Sequence, residues 1–401
     1  MEMSIDVSVV VPVHNVEGYL EECLESLVNQ TLKQIEIICV DDHSTDSSRS
    51  ILERYALRDS RIIILSSSEL NPEKNTAANS NNKGAGYARN IGLSVAKGDY
   101  VIFLDADDYF ELTFLEEMSR RIRDKGADIC LCGAFNYNCE TKKETKSPAV
   151  LKQGYLNGYD VFSAKEFPKN IFSITSPAPW SKLYKRSFLI SNNLQFQCLD
   201  NSNDVFFYVA TFVCAKSIVF IPKCFIHYRL SRPGSLQNSN KEKNPDNFCK
   251  ALIKCMYYIV EKNMLFELQH AFSLFATEII RFNLGSAKSY KEWKSVVDSA
   301  RGVIILFDNI FIKENCCSLS SRWLELKAAF VNKSAEDILW ESFLASSREN
   351  AELKRKLTYE KSKNKKLDNK IKQIRSSASF QIGSSILLPY RKIKQLLSKE
   401  G

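Results

Sequence analysis

Val7 to Val13 is an unbroken apolar run of strand length, and it predicts a strand buried on both faces. Leu20, Cys23, Leu24, Leu27 and Val28 then recur at helical spacing. Ile35 to Val40 reads as a second strand, and Ser44 or Thr45 is placed to cap a following helix that buries Ile51, Leu52 and Tyr55. Arg61 to Leu65 is a third strand, Tyr87 to Ala96 a helix and Tyr100 to Leu104 a fourth strand. This alternation predicts an α/β fold, a mostly parallel sheet with helices on both faces. Ligands of such sheets bind at the carboxyl ends of the strands, and polar residues cluster just after each strand here. Leu65 to Gly84 is rich in Ser, Asn and Lys without periodicity and reads as a surface loop. From about Asn247 to Leu344 the pattern turns helical, with Tyr257, Tyr258, Phe272, Phe275, Ile279 and Ile280 among the apolar positions.

Composition permits a well-packed core, at 44% hydrophobic and 25% charged residues over 401 positions, a length that suits one large or two modest domains. No apolar stretch approaches the roughly 20 residues that span a bilayer. The start, Met-Glu-Met-Ser-Ile-Asp, lacks the pattern of a secretory signal, so a cytoplasmic location is expected. The 12 cysteines are scattered without a CxxC pair, and buried reduced thiols are expected at positions such as Cys39, Cys130 and Cys214. The net charge of +8 is uneven: residues 348–401 hold 15 Lys+Arg against 5 Asp+Glu, leaving 40 against 42 in residues 1–347. A basic tail on a near-neutral body, with no recognisable nucleic-acid module, argues against a nucleic-acid partner.

Candidate chemistry sits at the strand ends. Leu104-Asp105-Ala106-Asp107-Asp108 ends a strand in three carboxylates, which repel one another unless a cation or hydrogen-bond donors compensate. Hard oxygen ligands suit Mg²⁺ or Mn²⁺, able to bridge two phosphates and stabilise a departing diphosphate. Acidic turns are also common as solvated features, and DxD alone is a weak signal. A second acidic turn, Asp41-Asp42-His43-Ser44-Thr45-Asp46, places Asp42 where it could accept a hydrogen bond from a base; helix capping is the alternative. The first strand ends in Pro12-Val13-His14-Asn15, where His14 could present a flat ring or be an ordinary surface histidine.

Six ordered blocks extend this pattern: VVVPVHNVEGYLEECLESLVNQTL, IICVDDHSTDSS, GYARNIGLSVAKGDYVIFLDADD, PWSKLYKRSFL, NDVFFYVATFVCAKSIVFIP and HYRLSRPGSL. Over residues 4 to 236 the chain thereby resembles glycosyltransferase family 2, inverting enzymes of bacterial surface-glycan synthesis with the GT-A fold. The resemblance implies a nucleotide-binding Rossmann-like sheet followed by a helical C-terminal region. It implies that Pro12, His14, Asn15, Asp42 and Arg89 hold uridine, Asp105 the ribose, and Asp107 the metal with the diphosphate. Asp204 takes the position of the general base, Trp180 and Lys182 the segment near donor sugar and acceptor. Arg229, Arg232 and Ser235 would clamp the diphosphate, with His227 completing the metal shell; a solvated basic turn is the alternative. Two departures stand out: His14 replaces the commoner Tyr, and Asn203-Asp204 stands where the family usually has Glu-Asp. Asp204 also opens an apolar helical run, so a helix N-cap is its bland alternative.

The expected organisation is a catalytic domain over 1–236, a helical domain over 237–347 and a basic helical tail over 348–401. The expected activity is transfer of a sugar from a UDP-sugar to a hydroxyl of a glycan or lipid-linked acceptor, in lipopolysaccharide or capsule synthesis. A nucleotidyltransferase would share a strand-end metal site, but no GxGxxG after a strand and no GxxxxGK[ST] is present. A non-catalytic scaffold is the third reading, and retention of Asp42, Asp105, Asp107 and Asp204 argues against it. In the tail, positions 350, 353, 357, 360, 364, 367, 371 and 374 follow a 3-4 spacing with five apolar residues, which suits a coiled coil pairing two copies; a solvated single helix is the alternative. Apolar residues from Phe380 to Leu397 interleaved with Arg391, Lys392 and Lys394 suit an anionic membrane surface, placing the protein peripherally on the inner face of the cytoplasmic membrane.

Overall fold

Strand β1, Val7–Val13, buries every residue but Pro12, as a central strand covered on both faces must. It pairs in parallel with β2, Ile35–Asp41, and with β4, Tyr100–Phe103, while β3, Ile62–Ser66, extends the sheet beyond β2. Helix α1, Glu17–Val28, buries Leu20, Cys23, Leu24 and Leu27, the stripe its sequence spacing predicts. Helices α2, Ser48–Ala56, and α3, Ala85–Val95, follow β2 and precede β4. These first strands are parallel as expected. The computed structural model describes residues 4–68, 84–230, 244–287, 289–335 and 337–338.

Capping of α2 departs from the sequence reading. The helix starts at Ser48 after Ser47, so neither Ser44 nor Thr45 caps it. Both instead tie the turn after β2 to the turn after β1: the Ser44 hydroxyl accepts from the Asn15 N–H (3.2 Å), and the Thr45 N–H donates to Asn15 Oδ1 (2.8 Å). The serine and threonine are spent on joining two strand ends, which places those ends side by side.

Beyond β4 the sheet becomes mixed. It continues with β5 Tyr109–Phe110, β6 Ile129–Asn138, β7 Lys143–Lys146, β8 Lys182–Lys185 and β9 Ile218–Leu230. The order is β3-β2-β1-β4-β8-β6-β9-β5, with β7 paired to β6. Strand β8 runs antiparallel to both β4 and β6, whereas β6 and β9 are parallel. The mostly parallel pattern expected of the first part of the chain holds for β1 to β4, and the strands beyond it add a mixed half. Helices α4, Phe114–Lys125, α5, Arg186–Ser191, and α6, Asn203–Cys214, complete this unit, which spans residues 1–235.

Helix α3 approaches the segment before α6 so closely that only glycine fits at position 86. A Cβ there would lie 2.2 Å from the Gln197 carbonyl oxygen and 2.9 Å from the Asn203 Cβ. Alanine improves helix propensity by up to about 1 kcal/mol, but a backbone oxygen cannot swing aside as a side chain can, and such overpacking costs about 1–3 kcal/mol. Gly86→Ala is therefore expected to lower stability, read as a lower denaturation midpoint in urea; an unchanged or higher midpoint would refute the close approach.

The second unit, residues 236–401, is helical in its described part, as its sequence predicts. It contains α7 Asn247–Glu261, α8 Leu265–Ser286, α9 Tyr290–Lys313 and α10 Ser321–Asn332. Ser289 and Ser320 cap α9 and α10, accepting from the N–H groups of Glu292 and Trp323. Phe307 joins Phe272 (5.5 Å) and Trp323 (6.0 Å) in an aromatic core. No helix among the described residues is long and apolar enough to cross a membrane. The tail expectations for 348–401, and nearly all of the loop expected over 65–84, lie outside the described residues. All 12 cysteines are free; Cys39 and Cys130 are buried as expected, Cys214 only half-buried.

Candidate active site

The carboxyl end of β4 carries the acidic turn. One carboxylate oxygen from each of Asp105, Asp107 and Asp108 lies within 4.8 Å of the others, the one such cluster of His, Cys, Asp or Glu found among the described residues. Asp108 is fully buried: its Oδ1 accepts the Arg229 backbone N–H (2.8 Å), and its Oδ2 has no partner. Burial, then the charges of Asp107 and Asp105, pushes the Asp108 carboxyl well above the usual range. A buried acceptor without a donor, amid converging like charges, is what a bound divalent cation would satisfy.

The ends of β1 and β2 meet beside this turn. Asp42 is buried at 2% exposure; its Oδ1 accepts from the Ser67 hydroxyl and its Oδ2 from the Gly84 N–H, both at 2.7 Å. His14, half-buried, sets its Nδ1 2.7 Å from the Asp42 main-chain oxygen, so Nδ1–H donates there and Nε2 is left as an acceptor. Asn15 is exposed and adopts a left-handed backbone (φ 48°), which asparagine tolerates. Pro12 precedes this turn, half-buried in β1. Sequence reasoning placed Asp42 here but missed Ser67 and Gly84, which lie far apart in the chain and carry no motif of their own.

Arg89, on α3, is buried and bridges two elements. One guanidinium nitrogen donates to Asp105 Oδ1 (2.6 Å) and another to Asn203 Oδ1 (3.0 Å), while the group lies 5.3 Å over the Phe196 ring. Where uridine contact was expected for Arg89, the described contacts run to the donor-side acid and to the first residue of α6. Asp204 follows Asn203 in the first turn of α6. The N-cap is Ser202, with no side-chain cap bond, so Asp204 is not the cap. Part of Asp204 stays open to solvent, yet protein surrounds it closely enough that burial raises its carboxyl above the ordinary value. Arg89 and Lys182 oppose that rise, and Asp105 adds to it.

Four other expected residues have occupied surroundings. Lys182 is fully buried, donating to the carbonyls of Ser176 and Ala178 (2.7 Å each) and to the Ser181 hydroxyl (3.1 Å). Burial lowers its pKa to about 7. Its ammonium therefore pins the chain that leads into β8. Trp180, 4% exposed, stacks on Tyr228 at 5.4 Å within the core. His227, expected to complete the metal shell, is not among the three residues of the acidic cluster: its Nδ1 lies 2.5 Å from Glu144 and its Nε2 2.9 Å from Glu111, and its ring stacks on Tyr109 at 4.2 Å. Both nitrogens are committed to carboxylates, and strand pairing of β5 with β9 turns the ring to that side. The Arg229 guanidinium reaches the Asp107 main-chain oxygen and Glu22, sandwiched between Tyr19 (5.3 Å) and Tyr109 (4.8 Å). Arg232 and Ser235 lie outside the described residues.

Comparison with known proteins agrees with this geometry. The chain is 31% identical over 240 residues to the EpsH protein of Bacillus subtilis, covering 59% of this chain and 64% of that one. It is 29% identical over 321 residues to the cholesterol galactosyltransferase of Borreliella burgdorferi, covering 74% and 84%. The chain spans less than two thirds of the length of EpsH and of other curated relatives it matches. Among solved structures, Staphylococcus aureus TarS in complex with UDP-GlcNAc superposes with a TM-score of 0.55 at 22% identity, over 75% of this chain and 80% of that one, and so shares the fold. Residues 8–190 match the glycosyl transferase family 2 model, and with the acidic strand end and the parallel β3-β2-β1-β4 sheet in place, the N-terminal unit contains a glycosyltransferase family 2 domain of GT-A fold.

Proposed function

We propose that the N-terminal unit transfers a sugar from a nucleoside-diphosphate sugar, UDP-linked, to a hydroxyl of a surface-glycan or lipid-linked acceptor, with inversion. The observation that carries this reading is the pairing of the Asp105/Asp107/Asp108 cluster with an Asp204 carboxyl raised by burial, joined across Arg89. Support for the donor comes from TarS, whose solved complex contains UDP-GlcNAc. On this reading Pro12, His14, Asn15 and Asp42 receive the base and Asp105 the ribose. Asp105, Asp107 and Asp108 would hold Mg²⁺ or Mn²⁺, which when bound supplies charge neutralisation at the departing diphosphate. Asp204 takes the proton from the attacking hydroxyl as the new C–O bond forms at the anomeric carbon. The bond to the diphosphate breaks on the opposite face, and the electron pair leaves with the nucleotide. A carboxyl held above its ordinary pKa accepts that proton more readily than an exposed one would.

The test is release of UDP measured across a panel of nucleotide sugars, with and without bacterial membranes as the acceptor source. No donor-dependent release and no nucleotide-sugar binding under any condition would sink the reading.

The basic tail, residues 348–401, is proposed to hold the enzyme at the inner face of the membrane, near a lipid-linked acceptor. Each Lys or Arg near an anionic surface contributes about 1 kcal/mol, so half of the tail's excess charge would give strong, salt-sensitive attachment. Deleting 348–401 is expected to leave transfer to a soluble acceptor nearly intact while releasing the enzyme from anionic liposomes. Liposome flotation at low and high salt decides it, and equal flotation of full-length and truncated protein rules the tail out as anchor.

A further inference from the structure

Position 203 is where the chain departs from its family's usual glutamate, and the structure gives that departure a use. Asn203 is 8% exposed, and its amide makes two different hydrogen bonds. Its oxygen accepts from Arg89 (3.0 Å) and its nitrogen donates to the Leu199 carbonyl (3.2 Å). Its main-chain oxygen accepts from the Gln197 N–H (3.3 Å). An ionised acid cannot fill both side-chain roles, because a carboxylate accepts but cannot donate. Glutamate would also carry its oxygens one methylene farther, into the space where α3 already passes at Gly86.

The other end of the link is equally constrained. Arg89 is buried, its Nε has no partner, and its guanidinium is held by Asp105, Asn203 and the Phe196 ring. Among the described residues Asp105 is the one carboxylate hydrogen-bonded to Arg89, and the Asn203 amide takes the other guanidinium nitrogen, while Asp204 feels Arg89 through its charge. The contacts form a continuous chain from the end of β4 through α3 to the first turn of α6.

We propose that Asn203 is a positioning residue for the transfer: by holding Arg89 against Asp105 it fixes α6, and Asp204 on its next residue, at the reacting distance from the donor strand end. This rests on the transferase reading above. Asn203 touches neither donor nor acceptor on this account. Its loss leaves the donor site built and lets the base drift, and a misplacement of about 1 Å costs on the order of 10²-fold in rate.

The experiment compares full-length wild type, Asn203→Ala and Asn203→Asp, with UDP as the binding probe and steady-state transfer as the rate. Asn203→Ala should lose about 10–100-fold in kcat. Its UDP affinity and donor KM should stay within about twofold, because binding contacts are untouched. Asn203→Asp keeps an acceptor for Arg89 and should recover kcat to within about fivefold of wild type, less the lost Leu199 bond. Where the alanine variant does not fold, Asn203→Ser takes its place as the truncation. Wild-type kcat in the truncated variant, equal loss in truncation and aspartate, or a loss confined to UDP affinity would each overturn the proposal. An inactive wild type with every donor would instead sink the transferase reading, so the two failures are distinguishable.

Discussion

Replacing Asp107 by alanine is expected to abolish cation-dependent binding of the nucleotide sugar. Three carboxylate oxygens converge within 4.8 Å, and removing the middle acid leaves two that differ in what they can do. Asp105 is already bonded to Arg89, and Asp108 has one oxygen on the Arg229 N–H and is pushed by burial toward its protonated form. Neither is free to replace a ligand at position 107. A metal ion stabilising transition-state charge is worth several kcal/mol, and at about 1.4 kcal/mol per decade its loss is on the order of 10²–10³-fold in turnover. Titration of UDP with and without Mn²⁺, in wild type and Asp107→Ala, checks it: a cation-enhanced affinity that survives the substitution would remove Asp107 from the site. Metal-independent wild-type binding would remove the cation altogether.

What the sequence made legible follows its local signals. Strands β1 to β4 and their helices were readable because buried parallel strands are continuous apolar runs, and helices such as α1 show a clear stripe. The acidic turn was readable because three carboxylates within four residues of a strand end demand an explanation. The mixed half of the sheet was not readable: β8 is four residues long, and its pairing with β4 and β6 is set by tertiary contact rather than by pattern. The surroundings of single residues were hidden for the same reason. Lys182 looks available in sequence, but the carbonyls of Ser176 and Ala178 take its ammonium, and nothing near His227 in the chain announces that Glu111, just after β5, and Glu144, in β7, meet its two ring nitrogens. The Arg89 to Asn203 link spans 114 positions and leaves no trace in spacing. A departure from a family motif was the one hint at position 203, and it did not say what that residue touches.

The last expected result separates catalysis from stability at one position. Asp204→Asn should lose on the order of 10²–10⁴ in turnover, the usual share of a general base, with donor affinity kept. The sign of its effect on stability follows from the raised carboxyl pKa. A group that holds its proton more tightly in the folded than in the unfolded state stabilises the fold below the unfolded pKa, near 3.9, and loses that contribution as pH rises through the folded value. At neutral pH the ionised Asp204 therefore opposes folding, and a neutral amide of the same shape should leave the protein as stable as wild type or more so. A helix-dipole role would give the opposite, since an acid in the first turn of α6 would stabilise it and its loss would lower the melting temperature. Activity carries the matching signature: kcat/KM of wild type should rise with pH through the raised Asp204 value and level off, and that acid limb should vanish in Asp204→Asn. Melting at pH 7 together with the pH profile decides between the readings. A variant that melts lower and keeps the acid limb would return Asp204 to a structural role.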